Sequence, residues 1–326
     1  PPAASETDHL ALLGILNSST SCFWLKQVCQ NKGSTVDEHG ARQRTAPFED
    51  FFQYNSTKLG GFPIPSEMPL AQAEELDRLA QAVRQHNPSV VLAAERSHAP
   101  EVLDTARDGW DDGIRQMIAV QEELDWKCYK LYGLIEDDLC YRGHNVPPIG
   151  FGERAFEIAM ARQMAAGDLE TTWFARHNST PITEIPTHWP KGYQDVVNKR
   201  IALIESDLDI ALIEQPEYKR RWNVEPWGQQ LEHALREWLL IRLEGYFFEG
   251  RRVCEIQDGF DPTKILVAST GPHLVSTNQL AEAVQTDKAF LQVAELYRGS
   301  SGFSVPKLIR ELVDDESVPN LPVHRY

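Results

Sequence analysis

The stretch that sets the beginning of the fold is LALLGILNSSTSCFWLKQVCQNKGS, residues 10–34. Its leucines recur at intervals of three residues, a spacing that predicts a helix ending at Asn17. A second helix follows, with Thr20 or Ser21 as its predicted N-cap and Trp24 on its apolar face. The chain therefore begins with two short helices joined by a polar turn.

The next segment completes a small mixed unit. Pro47–Tyr54 (PFEDFFQY) is rich in aromatic residues, which favours either a short strand or a helical turn. Residues 58–65 are predicted to be extended, because Pro63 and Pro65 lack a backbone donor and bias the residues before them away from helix. We therefore interpret residues 1–65 as one α/β unit.

Helical periodicity dominates the remainder of the chain. Residues 70–95 predict a helix that Asn87-Pro88 interrupts, and a longer helix follows Pro100, so that the two suggest an antiparallel hairpin. The apolar seam of the longer helix alternates intervals of four and three residues. It consists of Trp110, Ile114, Met117, Leu124, Cys128, Leu131 and Ile135, with Gln121 as its one polar position. Further elements are a helix at 152–166, a proline-rich extended strap at 171–190, helices at 193–207 and after Pro226, and a β-hairpin at 246–256.

The predicted fold class is mainly α, with a small α/β N-terminal unit, a helical hairpin and a C-terminal helical domain. The 326 residues include 42% hydrophobic and 25% charged residues, which is typical of a globular protein. No apolar run approaches the roughly 20 residues that a membrane span needs. Five cysteines, an odd number without CxxC pairing, indicate thiols in a reducing cytoplasm, and the histidines form no metal-ligand pattern.

The net charge of −16 opposes binding to nucleic acid, because phosphate contacts depend on Lys and Arg. The charge is unevenly distributed. Residues 67–170 hold 10 Lys and Arg against 20 Asp and Glu, whereas residues 26–44 hold four basic and two acidic residues. A surface that binds DNA would therefore be local, and most of the acidic charge belongs to the helical part.

Several blocks of this sequence resemble the PglX-type adenine-specific DNA methyltransferases of BREX phage-defence systems. The first unit is similar to the target-recognition region of TaqI-like adenine methyltransferases, through LLGILNSS, FWLKQ, NKGS and KLGGFPIP. The other blocks occur in order along the chain: QEELDWKCYKLYGLI (121–135), GFGERAFEIAMARQ (150–163), FARHNSTPITEIP (174–186), PEYKRRWNVEPW (216–227) and ESVPNLPVHRY (316–326).

The resemblance implies a division of the chain into parts. Residues 1–65 would be a partial target-recognition unit and 66–145 a long helical hairpin scaffold. Residues 146–190 would hold a helix and the proline-rich strap, and 191–326 a C-terminal helical domain with a small β-hairpin.

The chemistry of such an enzyme requires motifs that this sequence lacks. Adenine-N6 methylation needs a glycine-rich cofactor turn and an NPPY-type motif that holds the flipped base. The Asn-Pro at Asn87-Pro88 continues as Ser-Val, and the GxGxxA match at 150–155 follows no buried strand. We therefore assign no catalytic, cofactor-binding or metal-binding residue here. S-adenosylmethionine is expected to bind a catalytic domain in the full-length protein, and this chain alone to be inactive.

The candidate DNA contacts lie mainly in the polar segment 31–44. Asn and Gln can pair bidentately with adenine, and Arg with guanine. The candidates are Asn31, Lys32, Ser34, Thr35, Arg42, Gln43 and Arg44, with Lys58 as a weaker phosphate contact. The alternative is a solvated polar loop. Lys219, Arg220 and Arg221 form a second basic cluster, which is either a clamp on the DNA backbone or a set of ion pairs with nearby glutamates beside packed tryptophans.

Two functions follow from these observations. The first is the DNA target-recognition and scaffold portion of an S-adenosylmethionine-dependent adenine-N6 methyltransferase, whose partners are double-stranded DNA, the catalytic domain and other defence-system proteins. The second is an acidic scaffold that docks defence partners or a phage inhibitor without contacting DNA.

Overall fold

The computed structural model describes residues 5–33, 46–94, 98–222, 225–246 and 277–314. Within these ranges the chain forms fourteen α-helices, one 3₁₀ turn at Pro47–Glu49 and two β-strands. The elements are α1 (Glu6–Leu16), α2 (Ser19–Val28), β1 (Gln30–Gly33), β2 (Phe51–Gln53), α3 (Ser56–Leu59), α4 (Leu70–Gln85), α5 (Pro88–Ala94), α6 (Pro100–Leu131), α7 (Ala155–Ala166), α8 (Trp173–Arg176), α9 (Lys191–Ser206), α10 (Leu208–Ile213), α11 (Trp227–Gly245), α12 (Thr277–Val284), α13 (Lys288–Arg298) and α14 (Val305–Asp314). The prediction of a mainly α chain with a small N-terminal α/β unit is confirmed.

The chain divides into two compact units. The first contains Pro1–Ala82 and Asp112–Asn223, and the second contains Val83–Asp111 and Val224–Tyr326. The four-part division made from the sequence describes the chain differently and stays a prediction.

The first two helices begin close to where the sequence placed them. Ser18, rather than Thr20 or Ser21, is the N-cap of α2, because its backbone is extended and its Oγ accepts a hydrogen bond from the backbone N of Ser21. In α1 the buried residues are Ala11, Gly14 and Ile15. Several leucines of α1 point outward, and Leu13 is 51% exposed.

Helix α6 is the long helix that the apolar seam predicted, and its C-terminal half crosses the core of the first unit. Leu124, Trp126 and Tyr129 are fully buried. Gln121, the polar interruption of the seam, is also buried, and its Nε2 donates to the backbone O of Asn17 at 3.1 Å. The helix ends at Leu131, before the predicted end of the seam at Ile135.

The segment between the first helices and α4 corrects one prediction. Pro47–Tyr54 contains both predicted forms, a 3₁₀ turn followed by strand β2. The stretch 58–65 is not extended throughout, because Asn55 caps a short helix, α3, with its Oδ1 accepting from the backbone N of Lys58 at 2.9 Å. The strong N-cap outweighs the influence of the prolines, which lie beyond the helix.

Helices α7, α9 and α10 complete the first unit. Helix α7 packs on α9, α9 on α10, and α10 on α2. The proline-rich segment 171–190 holds the short helix α8 and is otherwise irregular, and it buries Trp173 and Trp189. The predicted strap is thus anchored in the core through two tryptophans.

The second unit has a separate helical core. Helix α11 packs on α5 and α13, and α12 packs on α14. The apolar residues at its centre are fully buried, as in Leu239, Phe290 and Leu308. Asp287 caps α13 and accepts from the Nε of Arg242 at 2.6 Å. Apart from Tyr246, the predicted β-hairpin at 246–256 lies outside the described residues. In the described part of the chain, every helix is too short or too polar to cross a membrane.

Gly14 permits a close approach of three helices in the first unit. A Cβ at this position would lie 2.7 Å from the Cβ of Ala73 in α4 and 3.7 Å from Cδ1 of Leu124 in α6. The first distance is shorter than real Cβ contacts allow, and a Cβ cannot rotate away. Helix α1 therefore lies directly against both α4 and α6 at this level.

Replacing Gly14 with Ala should destabilise the protein. Overpacking of this kind costs about 1–3 kcal/mol, and the better helix propensity of Ala returns about 1 kcal/mol, so we expect a net loss in urea unfolding. Ala73→Gly removes the opposing Cβ, and the double variant should show a favourable coupling of about 1 kcal/mol. Gly192→Ala is the control, since its new Cβ would make an ordinary 3.6 Å contact with Tyr141. Additive effects of Gly14→Ala and Ala73→Gly would contradict this packing.

Candidate functional site

A two-stranded antiparallel ribbon forms the exposed surface of the first candidate site. Gln30 of β1 lies opposite Gln53 of β2, and Gly33 lies opposite Phe51, with Lys32 as an extra residue in a bulge. Opposite residues share one face of a ribbon, as do residues two apart on a strand. Gln30, Gln53 and Phe51 therefore share a face, which we call the ribbon face, and all three are exposed.

The predicted residues on this ribbon have different environments. Asn31 is largely engaged within the ribbon: its Nδ2 donates to Asp50 at 2.9 Å, and its Oδ1 accepts from the backbone N of Gly33 at 2.6 Å. Lys32 is exposed, and its Nζ lies 3.2 Å from Oε1 of Gln30. Asn31 thus shapes the ribbon, while Lys32 remains accessible on the bulge.

The other predicted contacts of this segment are only partly described. Lys58 is exposed on α3. Ser34, Thr35, Arg42, Gln43 and Arg44 lie outside the described residues. The sequence analysis did not single out Gln30 or Gln53. Predicting a strand at 30–33 would have placed both glutamines on one face.

Helix α2 attaches this ribbon to the rest of the unit through Lys26. The Lys26 Nζ donates to the backbone O of Glu217 and lies 5.1 Å from the ring centre of Phe52 and 5.9 Å from that of Tyr218. Burial lowers the pKa of Lys26, and the positive charge of Arg221 contributes in the same direction. Arg221 is itself exposed. The ribbon therefore lies beside the segment that carries the second predicted basic cluster.

Lys219 corrects one site prediction. Its side chain is 1% exposed, and its Nζ lies 2.8 Å from Glu214, 2.9 Å from Asp125 and 3.5 Å from Glu122. Burial lowers the pKa of Lys219, but these carboxylates raise it by more, so the net shift is upward. Because the ammonium is enclosed by carboxylates, the prediction that Lys219 contacts DNA phosphate is wrong, and its pair with Glu214 matches the alternative of ion pairs with nearby glutamates.

Arg220 matches the other part of that alternative, contact with a packed tryptophan. Its guanidinium lies 4.6 Å from the ring centre of Trp222, which is buried, and its Nη1 donates to Oδ1 of Asn17 at 3.5 Å. Both arginines are exposed, but for Arg221 the described residues show no such ring or amide contact.

Asp125 connects the buried lysine to the start of α2. It accepts hydrogen bonds from the backbone N and the Oγ of Ser19, at 2.8 and 2.7 Å, while also binding Lys219. Tyr129, one turn further along α6, donates to Glu214. We call Glu122, Asp125, Glu214 and Lys219 the buried cluster, and it joins α2, α6 and the segment after α10.

Two further buried ion pairs lie in the same unit. Arg154 Nη2 is 2.8 Å from Glu157, which also accepts from Trp173 Nε1 at 2.9 Å. Arg200 Nη2 is 2.7 Å from Glu123. All four charged side chains are at most 5% exposed. Each arginine is paired with one carboxylate, so the charges of each pair cancel.

The buried cluster, in contrast, is unbalanced, because three carboxylates share one ammonium. Burial raises the pKa of Glu122 to about 7, although Lys219 acts in the opposite direction. The negative charges of Glu214 and Asp125 add to this upward shift of the Glu122 pKa, and Arg154 opposes it. The cluster therefore takes up a proton near neutral pH more readily than an exposed glutamate does.

The sequence feature that could have indicated this cluster is a pair of acidic residues next to the apolar seam of α6. Glu122 and Asp125 are three residues apart on α6, beside apolar seam positions. Acidic side chains at such positions are rarely buried without a partner. In the described residues we find no group of three or more His, Cys, Asp and Glu side chains arranged to hold a metal ion.

Comparison with known proteins places the chain in a family. Residues 117–326 match the family described as "Domain of unknown function (DUF7008)", and the chain belongs to that family. The buried cluster and both buried ion pairs lie within the matched residues.

A relative from Streptomyces coelicolor, strain ATCC BAA-471 / A3(2) / M145, carries the name "Adenine-specific methyltransferase PglX". The chain is 43% identical to it over 328 residues, which cover 99% of this chain and 26% of the relative. The chain thus spans about a quarter of the relative's length, and the resemblance to PglX found in the sequence is confirmed. No solved structure matches the chain.

Replacing Lys219 with Met should strongly destabilise the first unit. Removing one partner of a buried ion pair leaves uncompensated charge and costs about 3–5 kcal/mol. The matched control is Lys191→Met, which breaks an exposed pair with Asp195, 76% and 55% exposed, and should cost less than about 1 kcal/mol. Urea unfolding at pH 7 measures both, and equal losses would contradict the assigned burial of Lys219.

Replacing Glu122 with Gln should change how stability depends on pH. The folded pKa of about 7 lies above the ordinary value of 4.5, so the folded state binds this proton more tightly. The resulting stabilisation is complete below about pH 4.5 and is lost as pH rises through 7. From pH 5 to pH 8 the wild type should therefore lose up to about 3 kcal/mol relative to Glu122→Gln.

Urea unfolding of both proteins at pH 5, 6.5 and 8 measures this difference. Other groups that titrate in the range, such as His177, whose pKa burial lowers, are common to both proteins and cancel. Parallel stability curves for the two proteins would show that Glu122 does not hold a proton in the folded state.

Proposed function

We propose that this chain is the DNA target-recognition and scaffold portion of an S-adenosylmethionine-dependent adenine-N6 DNA methyltransferase of a BREX-like phage-defence system. The observation that carries the proposal is the 43% identity to a PglX methyltransferase over 99% of the chain. On this proposal the cofactor binds and methyl transfer occurs in a catalytic domain outside this chain, and other defence-system proteins are further partners.

The ribbon supports a role in target recognition. A two-stranded β-ribbon fits the major groove of B-form DNA, where glutamine can pair bidentately with adenine. Gln30 and Gln53 lie opposite each other on the exposed ribbon face, next to Phe51. We propose that these two amides contact base edges, while Asn31 holds the bulge in shape.

We assign the contacts with DNA phosphates to the basic residues around the ribbon. Lys32 and Arg221 are exposed, and Lys58 lies on the short helix that follows β2. Arg42 and Arg44 complete the proposed set from the sequence between the strands. Because the whole chain carries a charge of −16, this set must act locally, and the catalytic domain must supply further attraction to DNA.

The exposed leucines of α1 favour the second function, docking of a protein partner. Leu12 and Leu13 are 37% and 51% exposed on a helix whose opposite side is buried. Contiguous exposed apolar surface marks sites of protein contact, and these two leucines are adjacent on α1. A protein that docks through α1 could still bind DNA through the ribbon. The scaffold hypothesis differs only in that the chain never contacts DNA.

DNA binding should depend steeply on salt and on the arginines between the strands. We expect the affinity for short duplexes, measured by fluorescence anisotropy, to fall strongly from 50 to 200 mM salt. The double variant Arg42→Ala with Arg44→Ala should bind more weakly, with a salt slope smaller by about 2. Lys199→Ala, which removes an exposed lysine of α9, should bind like the wild type.

Two outcomes would decide against target recognition. Salt-independent or absent binding would favour the protein scaffold, and an equal effect of Lys199→Ala and the double variant would remove residues 31–44 from the site. Circular dichroism of each variant checks that a loss of binding is not a loss of folding.

A further inference from the structure

Two adjacent phenylalanines of β2 lie in different environments. Phe52 is half-buried, with the Lys26 ammonium 5.1 Å from its ring centre and the ring of Tyr54 stacked on it at 6.3 Å. Phe51 is 58% exposed, and among the described residues its ring contacts no other ring and no cation. Successive side chains of a strand point to opposite faces. Phe52 therefore packs the ribbon onto the protein, whereas Phe51 has no such role in the fold.

The residue opposite Phe51 is a glycine, so the ribbon places no side chain across from the exposed ring. Gly33 pairs with Phe51 in the register of the two strands. Cross-strand pairs of side chains are the contacts that stabilise such a ribbon, and an aromatic ring opposite a glycine lacks such a pair. The ring of Phe51 is therefore available for a contact outside this chain.

Both glutamines of the ribbon face can form hydrogen bonds with a partner. Gln53 lies two residues from Phe51 on the same face, and its exposed amide has no hydrogen bond among the described residues. The Oε1 of Gln30 accepts from the Nζ of Lys32 at 3.2 Å, which orients the amide and leaves its Nε2 donor available. An amide with a donor and an acceptor matches the N7 and N6 groups on the major-groove edge of adenine.

The shape and charge of this surface fit a DNA groove. A two-stranded ribbon can enter the major groove, which is about 12 Å wide. Lys32 and Arg221 supply exposed positive charge on and near the ribbon. Asp50, the carboxylate that precedes Phe51, accepts a hydrogen bond from the Nδ2 of Asn31 at 2.9 Å. The ribbon face itself therefore combines two amides and one aromatic ring without an acidic side chain.

We propose that the ribbon reads a run of about three A·T base pairs, in which Gln30 and Gln53 contact adenines and the ring of Phe51 contacts the C5-methyl group of a thymine. This inference rests on the proposed function and adds the class of target sequence to it. Phenylalanine is among the residues that make apolar contact with this methyl group.

The spacing of the three side chains sets the length of the run. A strand rises about 3.3 Å per residue, and successive base pairs are about 3.4 Å apart. Phe51 and Gln53, two residues apart, therefore reach base pairs one or two steps apart. Gln30 lies opposite Gln53 and reaches the same base pair or its neighbour. Because β2 has three residues, its outer face carries no further position within the strand.

Selection from a pool of random duplexes with the full chain tests the class of target sequence. Sequencing of the retained duplexes should show A·T pairs enriched at two or three adjacent positions. A selected duplex then serves for measurements of affinity by fluorescence anisotropy at low salt.

Two modified bases test the individual contacts in that duplex. Deoxyuridine in place of thymidine removes the C5-methyl group, and 7-deaza-deoxyadenosine replaces the N7 acceptor of adenine with a C–H group. We expect deoxyuridine at the contacted position to weaken binding about 4-fold, the contribution of one buried methyl-sized group. The deaza base should weaken binding by about 5-fold or more, because one hydrogen bond of a bidentate pair is lost.

Two variants assign these effects to side chains. With Phe51→Ala the thymidine and deoxyuridine duplexes should bind equally, while the dependence on N7 persists. With Gln53→Ala the dependence on N7 should be lost at one adenine, while the dependence on the methyl group persists. Both side chains are exposed, so the melting temperature should not change. Leu208→Ala removes an apolar side chain of α10 that is 88% exposed, and this matched control should bind every duplex like the wild type.

The outcomes separate this inference from the proposed function. No binding to any duplex would overturn both. Salt-dependent binding that selects no A·T run, or that is unaffected by deoxyuridine, would overturn the inference and leave the proposed function standing. A dependence on the methyl group that is unchanged in Phe51→Ala would also overturn the inference and would leave the exposed ring for a protein partner.

Discussion

The first unit depends on one buried ammonium. Lys219 is 94 residues from Asp125 in sequence, yet its Nζ lies 2.9 Å from that carboxylate and within 3.5 Å of two others. Withdrawing these charges from water is unfavourable unless each finds a partner in good geometry. The native position of the segment after α10 is therefore strongly favoured, because the carboxylates of α6 remain unpaired unless Lys219 lies against α6.

This constraint extends to the candidate DNA surface. Asp125 also binds the first residue of α2, and α2 leads directly into β1. Further along α2, Lys26 binds the backbone of Glu217, two residues before Lys219. The base of the ribbon is thus held through both ends of α2, by Asp125 of α6 at its start and by the segment that carries the buried lysine near its end. A recognition surface attached in this way has a defined position within its unit, as base contacts require.

The distribution of charge is compatible with the proposed contact between this acidic chain and DNA. Part of the net charge of −16 lies inside the protein, because the buried cluster holds three acidic residues and the single ammonium of Lys219. Exposed cations, such as Lys32 and Arg221, lie on or near the ribbon. Net charge counts all of these residues equally, whereas a phosphate responds to the solvated charges close to it.

The sequence by itself determined the helical class, most helix positions and the relationship to PglX, because helical periodicity and local motifs depend on neighbouring residues. It also identified Lys32 and Arg221 as basic residues of interest. The tertiary structure alone decided that Lys219, in the same KRRW run as Arg221, is buried. The sequence left this run open between a clamp on DNA and ion pairs with nearby glutamates, because it does not show which carboxylates the fold brings to each basic residue. Here one partner, Glu214, is close in sequence, whereas the other two, Glu122 and Asp125, belong to α6 and are brought to Lys219 only by the fold.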